Sequence, residues 1–327
     1  MRTPETSTTR NVDCPAHAVQ PRMPAAALYL HTGTSKNMKP CVSRDVVMFE
    51  AAYENLVDAQ PAFGRIALLP WDTEIFGLPV AEFKAGDVRA MFDGRREIDE
   101  RLQSWAAAHR VELISCSVPS GERSFRTLLP QFGFTYVDAT LTYMLARLQT
   151  AKFPRKHVPV RLATIEDRPA VERICEIGFR AGRYHADPRF PRELANARYR
   201  QWLAREFKSL GEANRIYVAG EVGAAVGFTH VRVTDGDAYI TIGGADPAVQ
   251  SGVLPFAVFI GTLEALRDSG VRRARSKLSA GNTPMLNLAA YAGSRFSEPE
   301  TVFHWHAPDA PHLVSIDSLA TEHWLVR

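Results

Sequence analysis

Two short stretches concentrate the residues that could do chemistry. The first, RAGRYHADPRFP, sets Arg180, Arg183, Tyr184, His185, Asp187 and Arg189 within ten residues. Arginine forks suit phosphate and diphosphate oxygens. His185, whose ring titrates near pH 6.5 in water, could take a proton from an ammonium group. Such a loop can hold a phosphorylated or otherwise anionic small molecule; equally, Asp187 could simply open a turn before Pro188, with the charges solvated. The second stretch, GADPAVQSGVLPFAV at 243–257, leaves a strand pattern (AYITI) and enters an apolar helical one. Unpaired N–H groups at a helix N-terminus bind anions, so this turn has the position of a phosphate cradle. Yet Val253 and Pro255 stand where such turns usually carry glycine. FHWHA near the end puts His304 and His306 on one strand face. No Cys, Asp or Glu stands beside them at ligand spacing, so no metal site is expected, only an edge or final strand with exposed polar residues.

These groups need a scaffold, and the chain has the material for one. Its 327 residues, 46% hydrophobic and 23% charged, suffice for two domains with proper cores. The net charge is +3, with basic residues in both halves and no run of them interleaved with aromatics. That gives no reason to expect nucleic acid; a small molecule is the expected partner. Cys14, Cys41, Cys116 and Cys175 show neither C-x-x-C spacing nor a neighbouring His cluster. Neither a zinc site nor a disulfide framework is indicated, and a reducing cytoplasm fits. Residues 1–45, rich in Pro, Thr and Ala, read as a disordered leader, or as codons upstream of a later start such as Met38 or Met48. The longest apolar run elsewhere, VLPFAVFIGTLEAL, contains an acidic residue and is too short for a bilayer, so no membrane segment is expected.

Over 46–150, periodicity predicts strands GRIALLPW, VAEFKAG, VELISCSV and YVDATLTYML, a turn at WDTEIFGLP, and helices REIDERLQSWAAAHR and ERSFRTLLPQF. A linker follows at 151–159. Residues 160–308 predict strand VRLAT, helices IEDRPAVERICEIGF and RELANARYRQWLAREFKSL, then a meander of RIYVAGEV, GAAVGFTHVRVT and DAYITIGGA. Helix PFAVFIGTLEALRDSG, strand RRARSKLSA, helix TPMLNLAAYAG and strand TVFHWHA complete the unit, and 309–327 form a tail. Tyr199, Trp202, Leu203 and Phe207 share a helical face and read as core. The halves echo each other at a constant offset of 160: Val111 with Val271, Gly121 with Gly281, Leu128 with Leu288, Gly133 with Gly293. Two copies of one architecture are implied. Only the second half has the meander and the turn, so it should hold most of any active site.

A strand ending at GADP, a turn, a long helix, a strand and then Asn282 opening NTPMLNLAAYAG resembles, over 160–306, the GNAT acyltransferase superfamily. WDTEIFG in the first half, with RAGRYHADPRFP and ARYRQWL in the second, extends the resemblance over about 60–306 to two-part members such as dTDP-fucosamine acetyltransferase, which acetylate amino sugars on nucleotide diphosphates. The resemblance implies an α/β (α+β) tandem GNAT-like fold: a truncated N-terminal half at 46–150 and a complete GNAT domain at 160–308 with a mixed, mostly antiparallel sheet. It implies acetyl-CoA as co-substrate in a cleft between two splayed strands. Backbone of Ile242, Gly243, Gly244 and Ala245 would align the pantetheine arm, amides of Gln250, Ser251, Gly252, Val253 and Leu254 would meet the pyrophosphate, and Asn282 would contact the thioester end.

The family loop usually runs Gln or Arg, Gly, any residue, Gly, any residue, Gly or Ala; here it runs Gln250, Ser251, Gly252, Val253, Leu254, Pro255. Val253 should crowd the phosphates and resist an unusual backbone conformation. Pro255 removes a donor while suiting the first helical turn. The tyrosine commonly found seven residues after the Asn, which protonates the departing thiolate, is Ala289 here. Tyr291, about 200° further round a helix, is a packed aromatic or a substitute acid. The resemblance also puts Arg180, Arg183, Tyr184, His185 and Asp187 at the acceptor pocket, with His185 as candidate base. The function expected is a cytoplasmic N-acyltransferase moving an acetyl or other acyl group from CoA to an amine of a nucleotide-linked amino sugar or similar metabolite, with a homodimer compatible. One alternative is a repurposed enzyme taking a thioester from an acyl carrier protein, or running a different reaction without CoA. Another is a non-catalytic ligand-binding relative, against which the dense polar loop argues.

Overall fold

Runs such as LISCSVP and ETVFHWH are apolar at most positions, as strands covered on both faces should be, and both are buried over most of their length. In the computed structural model the described residues are 51–153, 158–249 and 253–314, all within the unit Val46–Arg327. The leader expected at 1–45, the end of the tail beyond 314, and Gln250, Ser251 and Gly252 lie outside them. The first half contains β1 (Glu54–Asn55), β2 (Arg65–Leu68), α1 (Pro70–Phe76), β3 (Val80–Lys84), α2 (Val88–Asp93), α3 (Arg95–Ala108), β4 (Leu113–Pro119), α4 (Phe125–Leu128) and β5 (Thr135–Leu145). The second contains β6 (Arg161–Leu162), α5 (Arg168–Gly178), α6 (Arg183–Ala186), α7 (Arg192–Glu206), β7 (Asn214–Ala219), β8 (Gly227–Thr234), β9 (Asp237–Ala245), α8 (Leu254–Asp268), β10 (Arg273–Ser279), α9 (Thr283–Tyr291), β11 (Arg295–Phe296) and β12 (Glu300–His306).

One segment differs from its sequence reading. WDTEIFG is a helix, α1, rather than a turn, because Pro70 starts it and Gly77, left-handed at φ +68°, ends it. The strands form one sheet in the order β1-β2-β3-β4-β12-β5-β10-β9-β8-β7-β6, with β11 beside β5. The two parallel pairings are β3 with β4 and β9 with β10; the others are antiparallel. The final strand is therefore not an edge: β12 lies between β4 and β5, and His304 is fully buried.

The offset of 160 persists in the backbone. Val111 N–H bonds to Ala106 O, and Val271 N–H to Leu266 O; Phe134 N–H bonds to Leu129 O, and Ser294 N–H to Ala289 O. Gly133 and Gly293 are both left-handed, at φ +81° and +83°. The last strands of the two copies are exchanged: β12 pairs with β4 and β5 with β10. The registers match, Ile114 opposite Trp305 and Ala274 opposite Leu145, while Thr140 and Glu300, equivalent in the repeat, face one another. A residue paired with its own equivalent marks a two-fold relation.

One apolar cluster forms around Phe83, Met91, Ile98 and Phe132 and is completed by Phe303 and Trp305 of β12, and another forms around Ile240, Phe259, Ile260 and Leu263 and is completed by Tyr143 and Leu145 of β5. Burying one such side chain contributes about 1.5–3 kcal/mol. A third cluster joins Ile75, Phe76 and Leu78 of the first half to Tyr184, Phe190 and Ala195 of the second.

Candidate active site

Parallel β9 and β10 stay paired for only three residue pairs, Asp237 to Tyr239 with Arg273 to Arg275, and β9 then runs on to Ala245 without β10 beside it. By contrast, β3 and β4 pair along Val80 to Phe83, nearly the whole of β3. The outward backbone groups of Ile240–Ala245 thus face a cleft. A cavity of about 430 Å³ opens there, lined by Ile242, Gly243, Gly244, Pro255 and Asn282 on one side and Arg183, Tyr184, Arg198, Tyr199 and Trp202 on another.

Of the residues expected at the cofactor, Ile242, Gly243, Gly244 and Asn282 meet at this cavity. Gly243 permits close strand approach: a Cβ there would lie 3.1 Å from Phe228 O. Asn282 caps α9 through a hydrogen bond from Met285 N–H at 3.3 Å. Ala245, Val253 and Leu254 are not among the lining residues. Ala245 and Leu254 pack instead in a small apolar cluster with Val258, while Val253 is 67% exposed. Its backbone, φ −96° and ψ −9°, is ordinary helical, so the expected conformational objection to valine fails. Pro255 does line the cavity, in the first turn of α8, whose first intrahelical bond is Ala257 N–H to Val253 O.

On the acceptor side, Arg183 and Tyr184 reach the cavity. Arg183 donates to Ser115 Oγ at 3.3 Å and to the Tyr184 hydroxyl at 3.0 Å. Burial pushes the Tyr184 hydroxyl up to about 12 against the pull of Arg183. Asp72, from WDTEIFG, accepts from Arg198 Nε at 2.6 Å, and Arg198 lies against the rings of Trp71, Tyr184 and Trp202. The first-half motif therefore steadies this wall of the cavity. Tyr199 and Trp202, read as core, line the cavity; Leu203 and Phe207 are buried as expected.

Four expected site residues stand elsewhere. Arg180 is exposed and absent from the lining. His185 stacks on Tyr199, and its Nε2 meets Asn196 Oδ1 at 2.8 Å; burial lowers its pKa, and it does not line the cavity. Tyr291 is 62% exposed, with its ring against Phe256, whereas Ala289 is fully buried. Asp187 is buried, with Oδ2 accepting from His304 Nδ1 at 2.6 Å and His306 Nε2 at 2.7 Å. Burial alone would raise its pKa, but the two histidines hold it well below the carboxylate range.

This trio corrects the expectation that no carboxylate accompanies FHWHA, since the partner arrives from 117 residues away. Three such groups within 4.8 Å have a metal-binding composition. Their separations, however, are those of N–H···O⁻ bonds. Ligands around tetrahedral zinc, each about 2.0–2.2 Å from the ion, sit roughly 3.3 Å apart. The trio is a hydrogen-bonded clasp from the loop to β12.

The strongest candidate base was not singled out from sequence. Asp138, on β5, is buried and lines the cavity. Its Oδ1 accepts from Ser279 Oγ and Ala139 N–H, both at 2.8 Å, and its Oδ2 has no partner among the described residues. Burial raises its pKa, opposed by those two hydrogen bonds and by Arg183. Tyr143, also on β5 and in the lining, has a buried hydroxyl whose pKa burial raises, against the pull of the neighbouring Ser276 side chain. Both reach the cleft only because β5 crosses to the second half, which a linear reading of two halves does not reveal.

No family model and no curated protein matches the chain in sequence. Among solved structures it resembles a GCN5-related N-acetyltransferase from Sphaerobacter thermophilus, at TM-score 0.52 and 15% identity over 75% of this chain and 76% of that one. A GCN5-related N-acetyltransferase from Kribbella flavida gives TM-score 0.52 and 13% identity over 81% and 93%. A functionally unknown conserved protein from Staphylococcus epidermidis gives 0.51 and 13% over 79% and 96%. At these identities the likeness is one of fold: a mixed, mostly antiparallel GNAT sheet, here in two copies. Among the described residues no helix is long and apolar enough to cross a membrane.

Proposed function

We propose that the chain is an N-acyltransferase that moves an acyl group, acetyl in the simplest case, from coenzyme A to an amine on a small molecule. The observation that carries this reading is the parting of β9 from β10 after three pairs, beside a cavity lined by Asp138, whose carboxylate keeps one oxygen, Oδ2, without a partner among the described residues. An extended arm bearing amides can add to the free edge of β9, as a peptide adds to a sheet edge. The N-terminal turn of α8 suits a pyrophosphate even though Pro255 contributes no donor. The thioester supplies an activated acyl carbon; the chain supplies position and proton transfer.

Asp138 Oδ2 takes the proton of the acceptor ammonium, a role that a carboxylate of raised pKa performs better than an ordinary one. The Tyr143 hydroxyl is the available donor for the departing sulfur, in place of the tyrosine missing at 289. The acceptor lies against Arg183, Arg198, Tyr199 and Trp202. Two arginines with aromatic faces suit a sugar carrying phosphate, and an amino sugar on a nucleotide diphosphate is the acceptor class we favour. The test is incubation of purified protein with acetyl-CoA and a panel of amino sugars, free, phosphorylated and nucleotide-linked, with free thiol as readout and calorimetry for CoA. Thiol release with at least one amine is expected; no release together with no CoA binding would end the proposal.

A further inference from the structure

Thr241 lines the cavity from β9, at the point where the register of β8 and β9 shifts between His230 and Val231. Behind it lies a buried relay through His230 and Asn214, with the Glu206 carboxylate, held by Arg232, 3.5 Å from His230 Nε2. The Thr241 Oγ1 is 2.6 Å from His230 Nδ1, and His230 Nε2 is 2.6 Å from Asn214 Oδ1. The orientation of Asn214 is set by its amide nitrogen, which donates to Glu206 O at 3.1 Å, Ser209 O at 3.1 Å and Ser209 Oγ at 2.9 Å. The carboxamide oxygen therefore faces the histidine and must receive a proton, so His230 carries its hydrogen on Nε2. His230 is completely buried, and burial, with Arg232 nearby, drops its pKa to about 3. A neutral ring with hydrogen on Nε2 has a bare lone pair on Nδ1, and the single proton of Thr241 goes there, at 2.6 Å, rather than to the more distant His230 O at 3.3 Å.

From this geometry we infer that Thr241 is an acceptor-only group in the cavity, locked by His230 and Asn214, which selects a substrate presenting an N–H donor at that point. The hydroxyl has spent its hydrogen and offers the cavity lone pairs alone. It stands with Trp202, whose ring lies edge-on to His230, and so on the α7 side with the acceptor wall. The inference deepens the proposed reading: Thr241 receives a hydrogen bond from the ammonium whose proton Asp138 removes. An ammonium satisfies it; a quaternary nitrogen of equal charge cannot. His230 and Asn214 are positioning residues that act through Thr241.

Two measurements test the assignment, neither needing turnover. The ¹⁵N spectrum of histidine-labelled protein should show His230 protonated on Nε2 and bare on Nδ1 throughout pH 6–8, and protonation of Nδ1 would overturn the inference. Titration by NMR with butylammonium and with butyltrimethylammonium, equal in charge, should show the first binding about ten- to a hundredfold tighter. The preference should survive Thr241→Ser and fall severalfold in Thr241→Val, where Asp138 still receives the ammonium, with the folded spectrum of each variant retained. Equal binding of the two probes, no binding of butylammonium, or a preference undiminished in Thr241→Val overturns it. Failure of CoA binding and thiol release would remove the acyltransferase reading while leaving the ring tautomer and the amine preference intact, so the two failures are distinguishable.

Discussion

Replacing Asp138 by asparagine separates chemistry from architecture at the proposed base. The carboxylate Oδ1 accepts from Ser279 Oγ and Ala139 N–H, contacts that an asparagine carbonyl can also accept. Oδ2, buried and with no partner among the described residues, becomes an amide nitrogen on a residue that lines the cavity. What is lost is proton transfer, typically worth about 10²–10⁴ in rate, or about 3–5 kcal/mol of barrier. Stability should move the other way. The folded pKa of Asp138 lies above its unfolded value, chiefly through burial, so ionising it costs folding energy as pH rises from about 4 through the folded pKa. Asparagine never ionises, so at pH 7–8 the variant should melt at the same temperature as the parent or higher. The assay is thiol release from acetyl-CoA across pH 5–9, alongside melting curves at pH 4.5 and 7.5. The parent should lose kcat/KM on an acid limb above the usual carboxylate range, and the variant should lack that limb. Activity within threefold of the parent, or a melting temperature several degrees lower at pH 7.5, would refute the assignment, the second outcome by showing a structural carboxylate.

The remaining predictions concern the cofactor turn, the acid and the clasp. Pro255→Ala restores a backbone donor in the first turn of α8 and should tighten CoA binding up to about tenfold by calorimetry. Val253→Gly should change it less than about twofold, because the valine is exposed and already helical. Tyr143→Phe should lower kcat about tenfold with KM unchanged, since it removes a hydroxyl that acts only as sulfur departs. Asp187→Ala leaves two histidine N–H groups without their shared acceptor and should cost about 1–3 kcal/mol for each donor left buried, seen in urea melts. A chelator should leave the parent's melting temperature unchanged; a drop would put a metal at the centre of the trio.

Legibility in the sequence followed how locally each feature is encoded. The helices α3 and α5 were readable because each carries its own apolar period, and the repeat was readable because Gly133 and Gly293 end corresponding segments in the same left-handed turn. The four β9 and α9 residues that meet at the cavity were found through the motif order, an ordered series that survives when individual glycines do not. Non-local residues were misplaced. His185 looked like a base because it stood in a polar loop, but a short helix turns it towards Asn196. FHWHA looked like an exposed strand because its partner, Asp187, is far away in sequence. WDTEIFG read as a turn and Pro70 as part of the preceding strand, although a proline at the first helical position starts a helix.

Asp138 was missed for a reason that bears on how the molecule works. Sequence alone suggests a complete catalytic domain at 160–308 preceded by a truncated copy. In the sheet, the strand beside β10 is β5, so Asp138, Thr140 and Tyr143 enter the cavity from the first copy, while β12 of the second copy completes the first. A chain cut to residues 160–327 would then lack the proposed base and the candidate acid, and would expose both an unpaired edge of β10 and the apolar faces of β12. It should be insoluble or inactive when expressed alone, and coexpression with 46–159 should restore thiol release if the two strands can exchange between separate chains. An active 160–327 fragment would show that the second copy closes its own sheet with β12 and needs no residue from β5, and the roles given to Asp138 and Tyr143 would fall with it.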